Sequence, residues 1–219
     1  MTILAIEDRR YYNHIGVDPR AIARAAFRNL REGRYVEGGS TLTQQLSKNI
    51  FLTSEKAMSR KIQEAMIAIW LERDFTKEEL LEMYLSRVYF GSGSWGLENA
   101  SLRYFNKPAK DLTLAEAAMV AGLLQAPSTK NPVSHFDRAQ KRQHLVLASM
   151  DAQNLLDDGV LDMARAEPIT IHTPADTEGA QYFVDWIWPT LEEKIGLPTQ
   201  DIIVQTTLDI DAQLSLIHI

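Results

Sequence analysis

Apolar residues recur at helical spacing along most of the chain, and the first long helix carries clear signals at both ends. Asp18 can cap it, Pro19 takes the first helical position and Gly33 can close it. One face of this helix is basic and another is largely apolar, with Arg20, Arg24, Arg28 and Arg31 on the first and Ile22, Ala25, Ala26 and Leu30 on the second. The pattern is typical of a helix on a lipid surface or of a solvated helix face, and it leaves both open.

Two later helices are predicted to begin at capping boxes. Thr76 pairs with Glu79 and Thr113 pairs with Glu116, each ahead of an apolar-periodic run. The helices should therefore start near residues 77 and 114, and the second should end before Pro127.

The last third of the chain is predicted to change character. A helical pattern covers residues 136–156, and the stretch EPITIHTPADTEG at 167–179 has the composition of a connector. Beyond it, QYFVDWIWPTLEEKIG at 181–196 predicts a short aromatic helix, and DIIVQTTLDI at 201–210 predicts the one strand of the chain.

Charge is unevenly distributed over the 219 residues. Net charge is −6, but residues 1–75 hold 12 Lys+Arg against 9 Asp+Glu, so that part is basic and the remainder acidic. A localised anionic partner follows, such as phosphate, pyrophosphate or an anionic lipid surface, whereas no basic run of the kind that binds duplex nucleic acid is present. The chain has no cysteine, which excludes disulfides and thiolate metal sites. The apolar lead MTILAI is too short for a signal peptide or a membrane span.

The segment EGGSTLTQQLSKN, residues 37–49, is unusually rich in uncharged polar side chains. Thr41 with Gln44 fits a capping box, so a helix should begin here with free backbone N–H groups that attract phosphate. The polar stripe of that helix comprises Thr41, Gln44, Gln45 and Lys48, and its apolar stripe comprises Leu42, Leu46 and Ile50. An ordinary N-capped surface helix is the alternative.

Two carboxylates have cationic neighbours along the chain. Glu7 follows an apolar lead-in and precedes two arginines in AIEDRRYYNHIG, residues 5–16. Glu64 stands four residues after Arg60 with Lys61 beside it, on a helix whose predicted core face is Met58, Ile62, Ala65 and Ile69. Each arrangement suits either a catalytic carboxylate or an ordinary surface group such as an i,i+4 ion pair.

The stretch GSGSWG, residues 91–96, imitates a dinucleotide-binding fingerprint but follows a predicted helix instead of a strand, which excludes that site. Its glycines make a tight connection that leaves Trp95 to stack on a sugar or to pack in the core. The five histidines show no metal-ligand spacing.

Five stretches, in this order, resemble the motifs of the peptidoglycan glycosyltransferase domain of class A penicillin-binding proteins, glycosyltransferase family 51. They are EDRRYYNHIG, GGSTLTQQLSKN, RKIQEAMIAIWLE, LLEMYLSRVYFGSGSWGLENASLRYF and LTLAEAAMVAGLLQAPSTKNP. The resemblance covers roughly residues 4–165. Tyr11, Ser86 and Trp95 are conservative departures from residues that are common in the family.

The resemblance implies a mainly α, lysozyme-like fold of two lobes, with a short α/β linker segment at the C-terminus. Residues 1–175 would form the glycosyltransferase domain, and residues 176–219 would be part of a linker towards a transpeptidase domain. The family's N-terminal membrane anchor and the transpeptidase domain are expected to be missing, so that the chain is a piece of a larger bifunctional protein. No Ser-x-x-Lys motif of a transpeptidase site occurs in it.

The activity implied is polymerisation of lipid II into β-1,4 glycan with inversion, on the outer, periplasmic face of the bacterial cytoplasmic membrane. By matching position Glu7 would be the general base, and Glu64 would assist near the leaving pyrophosphate. The residues expected to bind pyrophosphate and sugar are Ser40, Thr41, Gln44, Gln45, Lys48, Asn49, Arg60 and Lys61. Asp8 and His14, together with Asn49, are expected to orient them.

No cofactor is obligatory in this hypothesis, and the resemblance admits a divalent cation, Mg²⁺ or Mn²⁺, at the pyrophosphate without fixing its ligands. The expected partners are lipid II, the growing glycan, the membrane surface through a basic small lobe, and cell-wall assembly proteins of unknown identity, but no nucleic acid. Two other functions stay open: a lysozyme-like glycan hydrolase, and a non-catalytic fragment that binds lipid II or undecaprenyl pyrophosphate.

Overall fold

A computed structural model describes residues 1–34, 38–51, 58–127, 129–172 and 204–209, together with the single residues 183, 186, 187, 190 and 194. Within them lie nine α-helices: α1 (Thr2–Glu7), α2 (Pro19–Glu32), α3 (Leu42–Phe51), α4 (Met58–Asp74), α5 (Lys77–Arg87), α6 (Leu97–Phe105), α7 (Leu114–Leu123), α8 (Phe136–Asp151) and α9 (Val160–Ala166). The part of the chain that the structure describes contains no strand, which confirms the mainly α prediction.

Helix ends follow the predicted caps where the capping residues are local. The Asp18 side chain accepts from the Arg20 N–H at 3.0 Å, and Gly33 closes α2 in the left-handed conformation at φ 64°. Both capping boxes are present, so α5 and α7 begin at the predicted residues. Helix α8 ends five residues earlier than predicted, because the chain turns at Asn154, whose φ is 52°.

The core is built where α1, α7 and α8 pack against one another. Eight of the ten residues of α7 are buried, and α1 contributes Ile3, Leu4 and Ala5 to the same cluster. The Ala5 carbonyl near the end of α1 accepts from Ser149 Oγ of α8 at 3.0 Å and from Gln153 Nε2, just after α8, at 2.9 Å. These bonds satisfy a backbone group that the helix end would otherwise leave open, and they fix the place where α1 ends.

Helix α4 turns the opposite face inwards from the predicted one. Ile62 is 63% exposed and Met66 is 66% exposed, whereas Glu64 is only 2% exposed. The buried side is formed by Glu64, Ala68 and Leu71, so the prediction of Ile62 and Ile69 as core residues was wrong. Of the other two predicted core residues, Ala65 is half-buried, and the side chain of Met58 lies outside the described part. A charged residue can occupy the inner face because cationic side chains of the same helix neutralise it.

Gly16 allows α4 to lie directly against the turn at residues 15–17. Its φ is 81°, and a Cβ there would stand 2.6 Å from the backbone carbon of Ala68 and 2.7 Å from the backbone nitrogen of Ile69. Only glycine fits this contact. The Gly16 carbonyl also accepts from Thr41 Oγ1 at 2.6 Å, which ties the start of α3 to the same turn.

The chain divides into two compact units, Met1–His172 and Thr173–Ile219. In the second unit, residues 204–209 are not in a strand, so the predicted strand at 201–210 is wrong for that part, and its other residues lie outside the described ones. Much of the predicted aromatic helix also lies outside them. Among the described residues, no helix combines the length and apolar character that a membrane span requires. The predicted domain boundary at residues 175 and 176 stays a prediction.

Candidate active site

Glu7 ends α1, and a side chain from α3 holds its carboxylate. Gln45 Nε2 donates to Glu7 Oε2 at 3.1 Å, and the Tyr84 hydroxyl donates to Oε1 of the same amide at 3.0 Å. Burial and the Glu7 charge together raise the pKa of Tyr84 far above its usual value, so the phenol remains a donor. The amide of Gln45 is thereby turned with its N–H towards Glu7, which is half-buried and can meet a ligand from solvent.

Asp8 is buried and joins the end of α1 to the start of α3. One of its oxygens, Oδ2, accepts from the Leu42 backbone N–H at 3.0 Å and lies 3.0 Å from His14 Nε2. The predicted orienting role of Asp8 and His14 has this geometry as support. The Asp8 carboxylate also supplies the negative charge that the N-terminus of α3 favours.

The prediction that α3 begins with free N–H groups was wrong. Thr41 N–H donates to Gln44 Oε1 at 3.0 Å, Leu42 N–H donates to Asp8, and Gln44 N–H donates to Thr41 Oγ1 at 3.2 Å. The capping box was predicted correctly, but the distant carboxylate of Asp8 accepts one of the N–H groups that the prediction left to a phosphate. An anion near this helix start would therefore depend more on side chains.

The polar stripe of α3 is only partly available to a ligand. Thr41 and Gln44 are buried within the capping box, Gln45 is half-buried, and Lys48 and Asn49 are exposed. Of the predicted stripe, Gln45 and Lys48 can therefore reach a ligand, whereas Thr41 and Gln44 support the helix start. Ile50, assigned to the apolar stripe, is 36% exposed, unlike the buried Leu42 and Leu46.

Glu64 lies on α4, between two cations of its own helix. Arg60 Nε donates to Glu64 Oε1 at 3.2 Å, and the Lys61 ammonium donates to Glu64 Oε2. Lys61 Nζ also donates to Ser40 Oγ at 2.7 Å, just before α3. Because Glu64 is buried, this is no ordinary surface ion pair, and it brings four of the predicted site residues together.

Glu64 is the predicted site carboxylate that cations surround in this structure, because both of its oxygens face Arg60 and Lys61. The described residues contain no group of three His, Asp or Glu that could hold a metal ion by themselves. A Mg²⁺ ion on a pyrophosphate needs only one or two protein carboxylates, because phosphate oxygens and waters complete its shell. The divalent cation at the pyrophosphate therefore stays a prediction.

Lys130 and Arg142 are cations that the sequence pattern did not single out. Burial and the Arg142 guanidinium lower the pKa of Lys130, whereas the Glu7 carboxylate raises it, so Lys130 lies within electrostatic reach of Glu7. Gly122 gives Arg142 its room, because a Cβ there would stand 2.8 Å from Arg142 Cγ. Lys130 stands outside any helical repeat, and no spacing in the sequence connects it with Glu7.

Glu72 and Lys77 were also missed. Lys77 Nζ donates to the two carboxylate oxygens of Glu72 at 2.7 and 2.8 Å, and the ammonium lies 4.5 Å from the centre of the Tyr11 ring. The five-residue spacing of Glu72 and Lys77 crosses the junction of α4 and α5, so no helical template pairs them.

Trp95 is exposed, so of the two predicted positions, packed in the core or free to stack on a sugar, the core is excluded. It is 60% exposed, and its ring packs at a tilt against Tyr89 with the ring centres 4.8 Å apart. The Asn99 side chain donates to the Trp95 carbonyl at 2.8 Å. An amphipathic ring held in this way can contact a sugar.

Comparison with known proteins agrees with the five-motif resemblance. A family model described as "Transglycosylase" matches residues 1–151. The chain is 40% identical to penicillin-binding protein 1F of Bacillus subtilis over 202 residues, which are 91% of this chain and 28% of that protein. It is 42% identical to penicillin-binding protein 1A of Aquifex aeolicus over 212 residues, which are 96% of this chain and 29% of that protein.

A crystal structure of penicillin-binding protein 1A from Haemophilus influenzae aligns with 71% of this chain and 20% of its own, at 27% identity and a TM-score of 0.48. The chain thus spans less than a third of the length of the relatives named above. The family model nevertheless covers more than half of the chain itself. This protein belongs to the transglycosylase family.

Proposed function

We propose that this protein is a peptidoglycan glycosyltransferase that polymerises lipid II into β-1,4 glycan strands and releases undecaprenyl pyrophosphate. The observation that carries the proposal is a pair of carboxylates in different environments, both connected to the polar segment, residues 37–49. Glu7 is half-buried and held by the neutral amide of Gln45, whereas Glu64 is buried between Arg60 and Lys61. The first environment suits a proton acceptor, and the second suits a group that positions cations.

In the proposed reaction, the 4-hydroxyl oxygen of the acceptor sugar attacks the anomeric carbon of the growing glycan. Glu7 takes the hydroxyl proton as the new C–O bond forms. The bond between the anomeric carbon and the pyrophosphate oxygen breaks on the opposite face, the pyrophosphate leaves with the electron pair, and the anomeric configuration inverts.

The departing pyrophosphate accumulates negative charge, and side chains of this protein can stabilise it. Arg60 and Lys61 are fixed by Glu64, and Lys48 is exposed on α3. Fixed cations stabilise such charge without reorganising during the reaction. A divalent cation at the pyrophosphate would add positive charge to that of these side chains.

Membrane contact is the second part of the proposal, because the substrate is lipid-linked. The outer face of α4 carries large exposed apolar side chains at helical spacing: Ile62, Met66, Ile69 and Trp70. Helix α2 buries only Ala25 and exposes its arginines together with Phe27 and Leu30. Apolar side chains beside arginines suit the interface of an anionic bilayer. We place the protein on the outer face of the bacterial cytoplasmic membrane.

A gel assay with labelled lipid II in detergent tests the activity. The purified chain should form glycan polymer, and Glu7→Gln and Glu64→Gln should each lower the rate by at least about a hundredfold, as expected for loss of general-base or charge stabilisation. Glu82→Gln, which alters an exposed carboxylate on α5, is the matched control and should retain activity.

The same assay separates the rival functions. Release of soluble fragments from preformed glycan would indicate the hydrolase. Retention of labelled lipid II by the folded parent without polymer would indicate the binding fragment. Polymer formation that persists in Glu7→Gln would contradict the assigned base.

A further inference from the structure

A buried ion pair lies behind the polar segment and touches none of the predicted substrate-binding residues. The Glu72 side chain is only 3% exposed at the end of α4, and it accepts from Lys77 Nζ at the start of α5. Glu72 Oε1 also accepts from Thr43 Oγ1 of α3 at 2.6 Å. A buried pair of this kind is weak support for stability alone, because desolvation offsets much of the attraction.

Both members of the ion pair face Nδ1 of His14. Lys77 Nζ lies 3.4 Å from this nitrogen and can only donate, whereas Glu72 Oε1 lies farther away, at 3.7 Å. The nearer ammonium favours a lone pair on Nδ1, since a proton there would point at another donor. A proton on Nε2, 3.0 Å from Asp8 Oδ2, would donate to that carboxylate.

The bond from His14 acts on Glu7 through Asp8 and α3. Asp8 is the residue next to Glu7, and its Oδ2 also accepts the first backbone N–H of α3, from Leu42. Gln45, one turn further along α3, donates to Glu7. A shift in the Asp8 carboxylate therefore moves both the end of α1 and the helix that carries the partner of Glu7.

We propose that Glu72 and Lys77 are positioning residues of the active site, which hold His14 in the tautomer protonated at Nε2. Through Asp8 this tautomer fixes the junction of α1 and α3, where Glu7 meets Gln45. The inference about the catalytic consequence rests on the proposed polymerase activity, whereas the inference about the tautomer does not. The two can therefore fail separately.

Nitrogen NMR of the full chain labelled with ¹⁵N-histidine tests the tautomer at neutral pH. His14→Gln assigns the signals of His14. The parent should show Nδ1 unprotonated and Nε2 protonated. A His14 ring that is protonated at Nδ1, whether as the other tautomer or as an imidazolium, would overturn the proposal without any further variant.

Lys77→Met should put a proton on Nδ1 while Asp8 keeps the one on Nε2, because Glu72 then faces Nδ1 at 3.7 Å without its cation. The double variant Glu72→Gln/Lys77→Met also removes the charge that draws this proton, so that Asp8 alone decides and the parent tautomer should return. Lys107→Met removes another ion pair, the 2.7 Å contact with Glu116, and is the matched control that should leave the His14 signals unchanged.

Polymerisation kinetics provide the second readout. Lys77→Met should lower kcat by roughly tenfold to a hundredfold, the range expected for a small misplacement of a catalytic group, with little change in KM. The double variant should recover at least part of that loss, and Lys107→Met should show none.

A merely structural pair would give a loss of kcat that follows the loss of thermal stability, without recovery in the double variant. That result would contradict the positioning role. If no variant and no parent polymerises while the tautomers behave as expected, the proposed function fails and the tautomer assignment stands.

Discussion

Among single residues, Glu7 depends on Gln45 for its hydrogen bond, and Gln45 depends on Tyr84 for its orientation. An amide can present either its oxygen or its nitrogen, and only the phenol donor fixes the choice. The Glu7 carboxylate is thus oriented by Gln45, which Tyr84 orients in turn, and both of these groups are neutral. Because neither carries a positive charge, the negative charge of Glu7 stays available to a proton from the substrate.

Tyr84→Phe should lower the polymerisation rate by about tenfold, because Gln45 loses the donor that orients it; the stability cost should be about 1 kcal/mol, the usual value for one hydrogen bond. Tyr104→Phe is the matched control, since its buried hydroxyl donates to the Phe90 carbonyl at 3.0 Å. Both variants should unfold at similar temperatures, and only the first should lose activity. Equal activities would contradict the role of Tyr84.

Lys130 should report directly on Glu7. Because the Glu7 charge raises the pKa of Lys130, Glu7→Gln should lower that pKa further, as measured by the pH dependence of amine modification at Lys130. Glu82→Gln should leave it unchanged. A rise in the pKa in Glu7→Gln would show that the two side chains do not interact as described.

The lowered pKa of Lys130 also has a consequence for stability. Its folded-state pKa lies below that of the unfolded chain, so the ammonium costs stability at neutral pH. That cost fades as the pH rises from the folded-state pKa to the unfolded value. Lys130→Met should therefore remove a rise in stability on the alkaline side of neutrality, as measured by urea unfolding.

At the scale of helices, α4 shows why periodicity alone gave the wrong inner face. The apolar residues predicted as its core face, such as Ile62 and Ile69, repeat as regularly as those of a core helix, but they are exposed, and Glu64 faces inwards. The spacing identifies an amphipathic helix and does not say whether protein or lipid covers the apolar side. The pairing of Glu64 with Arg60 and Lys61 was visible in the sequence, but its burial was not.

The apolar side of α4 should contribute to membrane binding. Met66→Gln/Trp70→Gln should weaken binding to vesicles of phosphatidylglycerol and phosphatidylethanolamine by about tenfold or more, since each side chain loses roughly 1 kcal/mol or more of burial. Leu145→Gln/Met163→Gln removes two exposed apolar side chains from α8 and α9 and should bind as the parent does. Equal binding by both double variants, measured by vesicle sedimentation, would count against the α4 surface.

Local signals predicted helix ends well, and long-range contacts decided the site. Asp18, Thr76 and Thr113 cap helices within a few residues of themselves, so sequence spacing was sufficient. Asp8 caps α3 from 34 positions away, and no spacing rule indicates that contact. The same holds for Lys130 and Glu7, which only the fold brings within electrostatic reach of each other.

For the whole molecule, the unit Met1–His172 should fold without the residues that follow it. The last residues of this unit still contact its core, because His172 N–H donates to the Tyr104 carbonyl at 2.7 Å and Ile169 and Ile171 pack against the core. A chain ending at His172 should retain cooperative thermal unfolding and its helical circular dichroism.

A chain ending at Glu167 is the matched comparison. It loses Ile169 and Ile171 and should be less stable than the chain ending at His172 by about 1–3 kcal/mol, the value expected for two partly buried isoleucines. Equal urea midpoints for the two chains would contradict the packing of this segment.

The contact between Gly16 and α4 restricts which substitutions the protein tolerates next to the start of α3. Main chain meets main chain there, so no neighbouring side chain can move to admit even a methyl group. Substitutions at Gly16 should be all-or-none in a mutational scan, whereas those at a core position such as Leu46 should be graded by volume. The distance between Gly16 and α4 is thus fixed by the backbone itself, whereas the side chains around this contact remain free to vary.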